Sequence, residues 1–233
     1  MRAAFDGGDF PGAQKLGEAL IEDMLLSPEV FQLMGHARYR LGDLGRAALW
    51  YRRASLFPPP VPEVRQNLAH IHDRTGNHSF QSNSFSDQFS AWLTRADWLR
   101  AAVFCGWVVA LACALCLLHV HTIGLRALLL TLASLALMTG TVCVLGWHWH
   151  PSYARLREIA YVTKPDAKAY TAASTTSGSV VQLPPGSEVR RLEPRGAWVY
   201  IEIPSEGEPS RGWVQSEALS PLWPAEYDAR LLE

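Results

Sequence analysis

Apolar and polar positions follow three different rhythms along this chain. Over roughly the first 76 residues, apolar and small positions recur at helical spacing, and the pattern repeats every 34 residues. Gly8-Asp9, Gly42-Asp43 and Gly76-Asn77 are one period apart, as are Pro28-Glu29-Val30 and Pro62-Glu63-Val64. Gln32 returns as Gln66, His36 as His70, Arg40 as Arg74, and Ala13 as Ala47. A period of this length with small residues at fixed points predicts stacked helix pairs, none of which buries its apolar face alone. In the best-defined unit the spacing predicts a first helix from about Pro28 to Leu41, with Ser27 as its cap and proline in its first turn. A turn at Gly42-Asp43 leads to a second helix from about Gly45 to Phe57, stopped by Pro58-Pro59-Pro60. Gly35, Ala47 and Ala54 are expected where helices approach closely, with Met34, Leu41, Leu44, Leu49, Tyr51 and Leu56 filling the seam.

The second rhythm is an unbroken apolar one. Residues 101–118 and 127–147 contain no formal charge, and Arg126 is the single one between Ala101 and Trp147. Each run is long enough to cross a hydrocarbon core of about 30 Å as a helix. With only 119–126 between them, the two form a hairpin that returns the chain to the face it left. Trp92, Trp98, Trp147 and Trp149 then gather at one interface. A buried soluble hairpin is the alternative, and the polar remainder offers little bulk to cover one. Ahead of the first run, 77–90 is Ser-rich and reads as a connector. Asp87 to Trp98 reads as a short amphipathic helix with Phe89, Trp92, Leu93 and Ala96 on one side.

The third rhythm begins at Tyr161, where the period falls to two and turn signals come every eight to twelve residues. Strands are expected at 180–183, 188–192, 198–203 and 212–214, five or so in all, closing into a small barrel. Trp198, Tyr200 and Trp213 are large rings for so small a core; they read first as core residues, with a binding groove as the alternative. The expected organisation is therefore helical repeats over 1–76, with a truncated first unit and a partial third. Linker and juxtamembrane helix follow at 77–98, spans at 99–118 and 127–147 around a turn at 119–126, a linker at 148–160, the barrel at 161–222 and a tail at 223–233. The repeat phase also expects a first helix beginning upstream of Met1.

Composition narrows the chemistry. The chain has 233 residues and a formal net charge of −1, and 42 of its 43 charged side chains lie outside the apolar segment. A purely soluble protein and a polytopic transporter are both excluded by that partition. No excess of Lys and Arg is present to hold nucleic-acid phosphates. All four cysteines lie in the apolar segment, and the Cys113–Cys116 pair reads as small apolar filling, with a redox sensor as a weaker reading. His119 and His121 belong to the opposite face from His148 and His150, so the four read as interfacial polar residues. No nucleophile, phosphate-loop or zinc-protease motif is present. Glu206 and Glu208 read as solvated turn residues. Neither a catalytic residue, a metal site nor a cofactor is expected.

Particular residues carry family resemblances. The stretch Phe31, Met34-Gly35, Tyr39-Arg40-Leu41-Gly42-Asp43, Ala47, Tyr51-Arg52-Arg53-Ala54 and Pro59 resembles a tetratricopeptide repeat, departing from it at Arg38, where that family often has an aromatic. The run Leu183-Pro184-Pro185-Gly186, Glu188-Val189, Leu192-Glu193, Gly196-Ala197-Trp198-Val199, Gly212-Trp213-Val214 and Ala218-Leu219 resembles the bacterial SH3-like domain, whose members bind cell-wall or protein ligands. Repeats, linker, membrane hairpin and SH3-like barrel in this order resemble the BatE-type proteins of the Bat aerotolerance operons. That resemblance implies a bacterial inner-membrane protein with both domains facing the periplasm. It also implies protein partners: membrane-anchored von Willebrand-type proteins and a MoxR-type ATPase. Arg95, Arg100, Arg155 and Arg157, against Arg126 at the turn, argue for the cytoplasmic side instead. Repeat position makes Gln32, His36, Tyr39, Arg40, Gln66, His70 and Arg74 the candidate groove residues. Two functions follow as expectations: a non-catalytic membrane-anchored scaffold whose groove and barrel each hold a protein partner, or a cell-wall anchor whose barrel binds peptidoglycan.

Overall fold

The computed structural model describes residues 1–80, 85–118, 122–150, 153–205 and 208–227. It contains helices α1 (Arg2–Asp6), α2 (Phe10–Glu22), α3 (Pro28–Arg40), α4 (Leu44–Ala54), α5 (Pro62–Thr75), α6 (Phe85–Ser90), α7 (Arg95–Leu118), α8 (Ile123–Trp149) and α9 (Tyr153–Glu158). Seven strands follow: β1 (Ile159–Val162), β2 (Ala167–Tyr170), β3 (Ser179–Leu183), β4 (Glu188–Arg195), β5 (Trp198–Ile203), β6 (Ser210–Gln215) and β7 (Leu219–Pro221). They form two compact units. One joins residues 1–82 to 151–229, and the other holds 83–150.

In the first unit the 34-residue period is written into the backbone. Gly8, Gly42 and Gly76 all have φ between 61° and 81°, the left-handed region in which a side chain is strained. After the first two, Asp9 and Asp43 cap the next helix, accepting from Gly12 N–H at 2.9 Å and Arg46 N–H at 3.1 Å. Ser27 caps α3 as expected, accepting from Val30 N–H. Gly35 allows contact with the Tyr51 ring, since a Cβ there would lie 2.6 Å from it. Phe31, Met34, Ala47, Leu49, Tyr51 and Ala54 are buried, whereas Leu41 is exposed instead of filling the seam. The Arg38 departure has a cause: its guanidinium bridges Glu18 at 3.1 Å and Asp43 at 3.4 Å, tying α2 to the α3–α4 turn. Helix α4 ends at Ala54, three residues short of the expected Phe57.

The sheet is antiparallel, in the order β3-β2-β6-β5-β4-β1-β7. It curls around one core drawn from β1 to β6, with Val162, Ala169, Leu183, Val189, Ile201, Ile203 and Val214 inside. Closure into a barrel was expected, but among the described residues no ladder joins β3 to β7. Three further strands, β1, β2 and β7, lie outside the ranges expected. All four residues of β1 are buried, so it shows no alternation, and Ala167-Lys-Ala-Tyr170 of β2 carries no β-branched residue. Helix α9 and β1 occupy most of the stretch expected as a linker. The expected tail begins with Trp223, 1% exposed and packed edge-on against Phe31 and Tyr227.

The second unit is a helical hairpin. Helices α7 and α8, of 24 and 27 residues, are long and apolar enough to cross a membrane, and few of their residues are buried. The side chains between the helices are small: Ala133, Cys143 and Gly146 are buried, and a Cβ on Gly140 would sit 3.2 Å from Cys105 Cβ. Outward-facing Thr131, Ser134 and Thr141 donate their hydroxyls to carbonyls three or four residues back. At its base, Trp98 lies over Gly146 and donates Nε1–H to Ser90 O at 3.1 Å, Arg95 sits over the Trp147 ring, and Phe89 meets Trp149. The continuous amphipathic helix expected over 87–98 is broken. Thr94 caps α7 afresh, its Oγ1 accepting from Asp97 N–H at 3.1 Å and donating to Asp97 Oδ2 at 2.8 Å; the chain turns at 91–93 and Trp92 is exposed. The second apolar helix begins at Ile123, inside the expected turn. His119, His121 and Glu206, together with 81–84 of the Ser-rich stretch, lie outside the described residues.

Candidate functional site

The candidate groove residues lie on α3 and α5, and the structure divides them into two clusters. In the first, Tyr39 OH is 2.9 Å from His70 Nε2 and accepts from Arg74 Nη1 at 3.1 Å. Tyr39, His70 and Arg74 thus form one exposed network across two repeats. In the second, Gln32 donates Nε2–H to Glu63 Oε2 at 3.0 Å beside a cleft of about 280 Å3. Arg2, Phe5 and Asp6 of α1, Glu29, Gln32, Leu33 and His36 of α3, and Glu63 of α5 line it. His36 faces inward from that cleft, with Nδ1 2.9 Å from Tyr51 OH. Burial holds its pKa below the ordinary histidine value; Glu63 opposes that shift and Arg40 adds to it. Burial likewise raises the Tyr51 hydroxyl. Arg40 leans over the Phe10 ring at 5.9 Å, and Gln66 is exposed.

Trp198, Tyr200 and Trp213 are not core residues. Val199, Ile201 and Val214 point inward, so Trp198, Tyr200 and Trp213 alternate with them onto the outer face, where all three are half-buried. The register aligns them with a ring that sequence reading missed. Tyr200 is opposite Trp213, and Trp213 is opposite Tyr170, so three rings cross three strands in a row. Tyr200 and Trp213 are 5.1 Å apart, and Trp198 meets Tyr170 edge-on at 5.7 Å. A polar row flanks these rings. Glu202, opposite Arg190 on β4 and Arg211 on β6, pairs with them at 2.6 Å and 3.1 Å. Such a surface offers flat apolar contact between charged hydrogen-bonding groups.

A third constellation, also missed by sequence reading, joins the helices to the sheet. Arg53 of α4 is only 4% exposed. It donates from Nε to Leu222 O and from Nη2 to Pro221 O, both at 2.9 Å, and stacks over Trp50 at 4.4 Å and Tyr227 at 5.3 Å. Burial lowers its pKa to about 10, against the opposing pull of Tyr227. Close by, Glu188 is buried and accepts from Tyr161 OH at 3.2 Å and Ser79 Oγ at 3.3 Å. Burial first, then the Glu188 carboxylate, pushes the Tyr161 hydroxyl well above its ordinary value, while Arg52 pulls it back. The expected connector is therefore ordered at its start. Asn77 is buried and donates Nδ2–H to Gly186 O at 2.7 Å. A signal for this was present: Asn77 stands where Asp9 and Asp43 cap helices, with no helix pattern after it.

Among the described residues, no group of three or more His, Cys, Asp or Glu is placed to hold a metal ion. No protein-family model matches the chain, and no curated protein or solved structure matches it.

Proposed function

We propose that the chain is a membrane-anchored, non-catalytic adaptor of the bacterial envelope. In this reading α1 to α5 are tetratricopeptide-type repeats, α7 and α8 are transmembrane helices, and the sheet is an SH3-like domain. One observation carries it. Residues 1–82 and 151–229 belong to a single compact unit, yet between them lie two apolar helices of 24 and 27 residues. A chain that inserts those helices in a bilayer has to bring both flanks out on one face, which a two-span hairpin does. Protein partners bind the α3/α5 surface around Tyr39, His70 and Arg74, and the partners named by the Bat-type resemblance, von Willebrand-type proteins and a MoxR-type ATPase, are the first to test. The protein is expected in the membrane pellet, released by detergent and not by salt; recovery in the supernatant without detergent would refute the anchor. Replacing Arg40 and Arg74 together by Ala is expected to weaken partner capture from detergent extracts while the circular dichroism spectrum stays unchanged. Undiminished capture removes the groove assignment. Protease accessibility of the sheet in intact spheroplasts decides between periplasm and cytoplasm.

The outward row of Tyr170, Trp213 and Tyr200 favours a second reading, in which the sheet binds peptidoglycan. Detergent-solubilised protein is then expected to co-sediment with purified sacculi, and Trp213→Ala to lose that property; no co-sedimentation of the unaltered protein excludes it.

A further inference from the structure

We infer that the sheet occupies the seat of the missing second helix of a third repeat, so that it is the terminal cap of the helical stack. Twice along the chain a left-handed glycine is followed by an aspartate that starts a second helix, at Gly8-Asp9 and Gly42-Asp43. The third time, Gly76 makes the same turn with φ 61°, but Asn77 bonds to the sheet. Its Oδ1 sits 2.7 Å from His72 Nδ1 on α5, while its Nδ2 holds Gly186 O. The next residue continues the contact: His78 N–H reaches Ser187 Oγ at 3.1 Å, and Glu188 N–H reaches His78 O at 2.7 Å. Backbone groups that would open a helix are instead paired with 186–188.

The space beside α4 and α5 is filled by the same turn. A Cβ on Gly186 would lie 3.2 Å from Ala48 Cβ and 3.7 Å from Ile71 Cγ2, and one on Gly45 would lie 2.8 Å from Val162 O. The turn after β3 and the end of β1 thus cover the apolar flank that a further helix would cover. Stacked repeats require such an end piece, because an uncovered last repeat exposes its seam to water. His70 and Arg74, two of the three residues of the exposed network, are on α5, the helix that this cap completes.

Hydrogen exchange of the full chain in detergent tests it, with Ile201→Ala as the perturbation. Ile201 is fully buried on β5, which among the described residues is paired with β4 and β6 alone. The substitution is expected to accelerate exchange of the slowest β5 amides at least tenfold and that of α5 by a similar factor. Accelerated exchange in the sheet with unaltered α5 would overturn the inference. Should that variant not be recovered folded, Asn77→Ala serves. Faster exchange both at 186–188 and along the C-terminal half of α5 supports the inference. A change on one side alone, or on neither, overturns it.

Discussion

Arg53 offers the most direct measure of how firmly the helices hold the sheet. Replacement by Met keeps a long apolar stem beside Trp50 and removes the charge. Two terms then compete. Burial lowers the guanidinium pKa from its ordinary value to about 10, so confining the charge costs roughly 3 kcal/mol, which Met does not incur. Against that, the Leu222 and Pro221 carbonyls lose charge-assisted bonds of about 1.5–3 kcal/mol each and are left unpaired in a buried seam. The stacking of the cation over Trp50 at 4.4 Å, desolvated, contributes up to about 2 kcal/mol more. The losses exceed the relief, and Arg53→Met is expected to destabilise this unit by roughly 2–4 kcal/mol. Urea unfolding of the detergent-solubilised chain, followed by tryptophan fluorescence, reads it as a lower midpoint at unchanged slope. A variant as stable as the parent would refute the reasoning, because the apolar replacement would then match the bonded cation.

Other perturbations separate the remaining forces. Because the folded pKa of His36 is depressed, the unfolded chain takes up the proton first, so the helical stack is expected to lose stability as pH falls below about 6.5; His36→Gln should flatten that dependence, as measured by melting at pH 5 and 7. Tyr161 has the opposite sign: its raised pKa keeps the folded state protonated while the unfolded one ionises, so stability is lost as pH rises above about 10, and less of it in Tyr161→Phe. Gly35→Ala gains about 1 kcal/mol of helix propensity but drives a methyl to within 2.6 Å of Tyr51, an overpacking cost of about 1–3 kcal/mol. Thermal denaturation is expected to show net loss, and its absence would mean that Tyr51 swings aside freely.

The readable parts of this fold are those where local chemistry and tertiary context agree. The glycines at 8, 42 and 76 announced their turns because each is a glycine followed by Asp or Asn one period from the next, between stretches of helical spacing. The long apolar helices needed nothing beyond composition. Strand β1 escaped because it is buried on both faces, which erases alternation. The Thr94 cap escaped because the apolar residues on either side suggested continuity. The candidate groove was legible as a set of positions, but not as pairs: nothing in the sequence says that His36 turns inward to Tyr51 while His70 meets Tyr39. Arg53 was hidden for a more general reason. A charged residue in a buried stripe looks like a solvated one until its carbonyl partners, some 170 residues further on, are known. The rings at 198, 200 and 213 failed in the other direction, since size suggested a core and only register shows the outer face.

The insertion of the hairpin in the middle of one compact unit has a consequence during synthesis. The last helix of the repeats ends at Thr75, while the last strand of the sheet that covers them ends at Pro221. At about 5–20 residues per second, the flank of α4 and α5 stays bare for roughly 7–30 s. In the proposed membrane-anchored reading, the same interval is when the two apolar helices enter the bilayer, so the flank of α4 and α5 waits uncovered by its own chain.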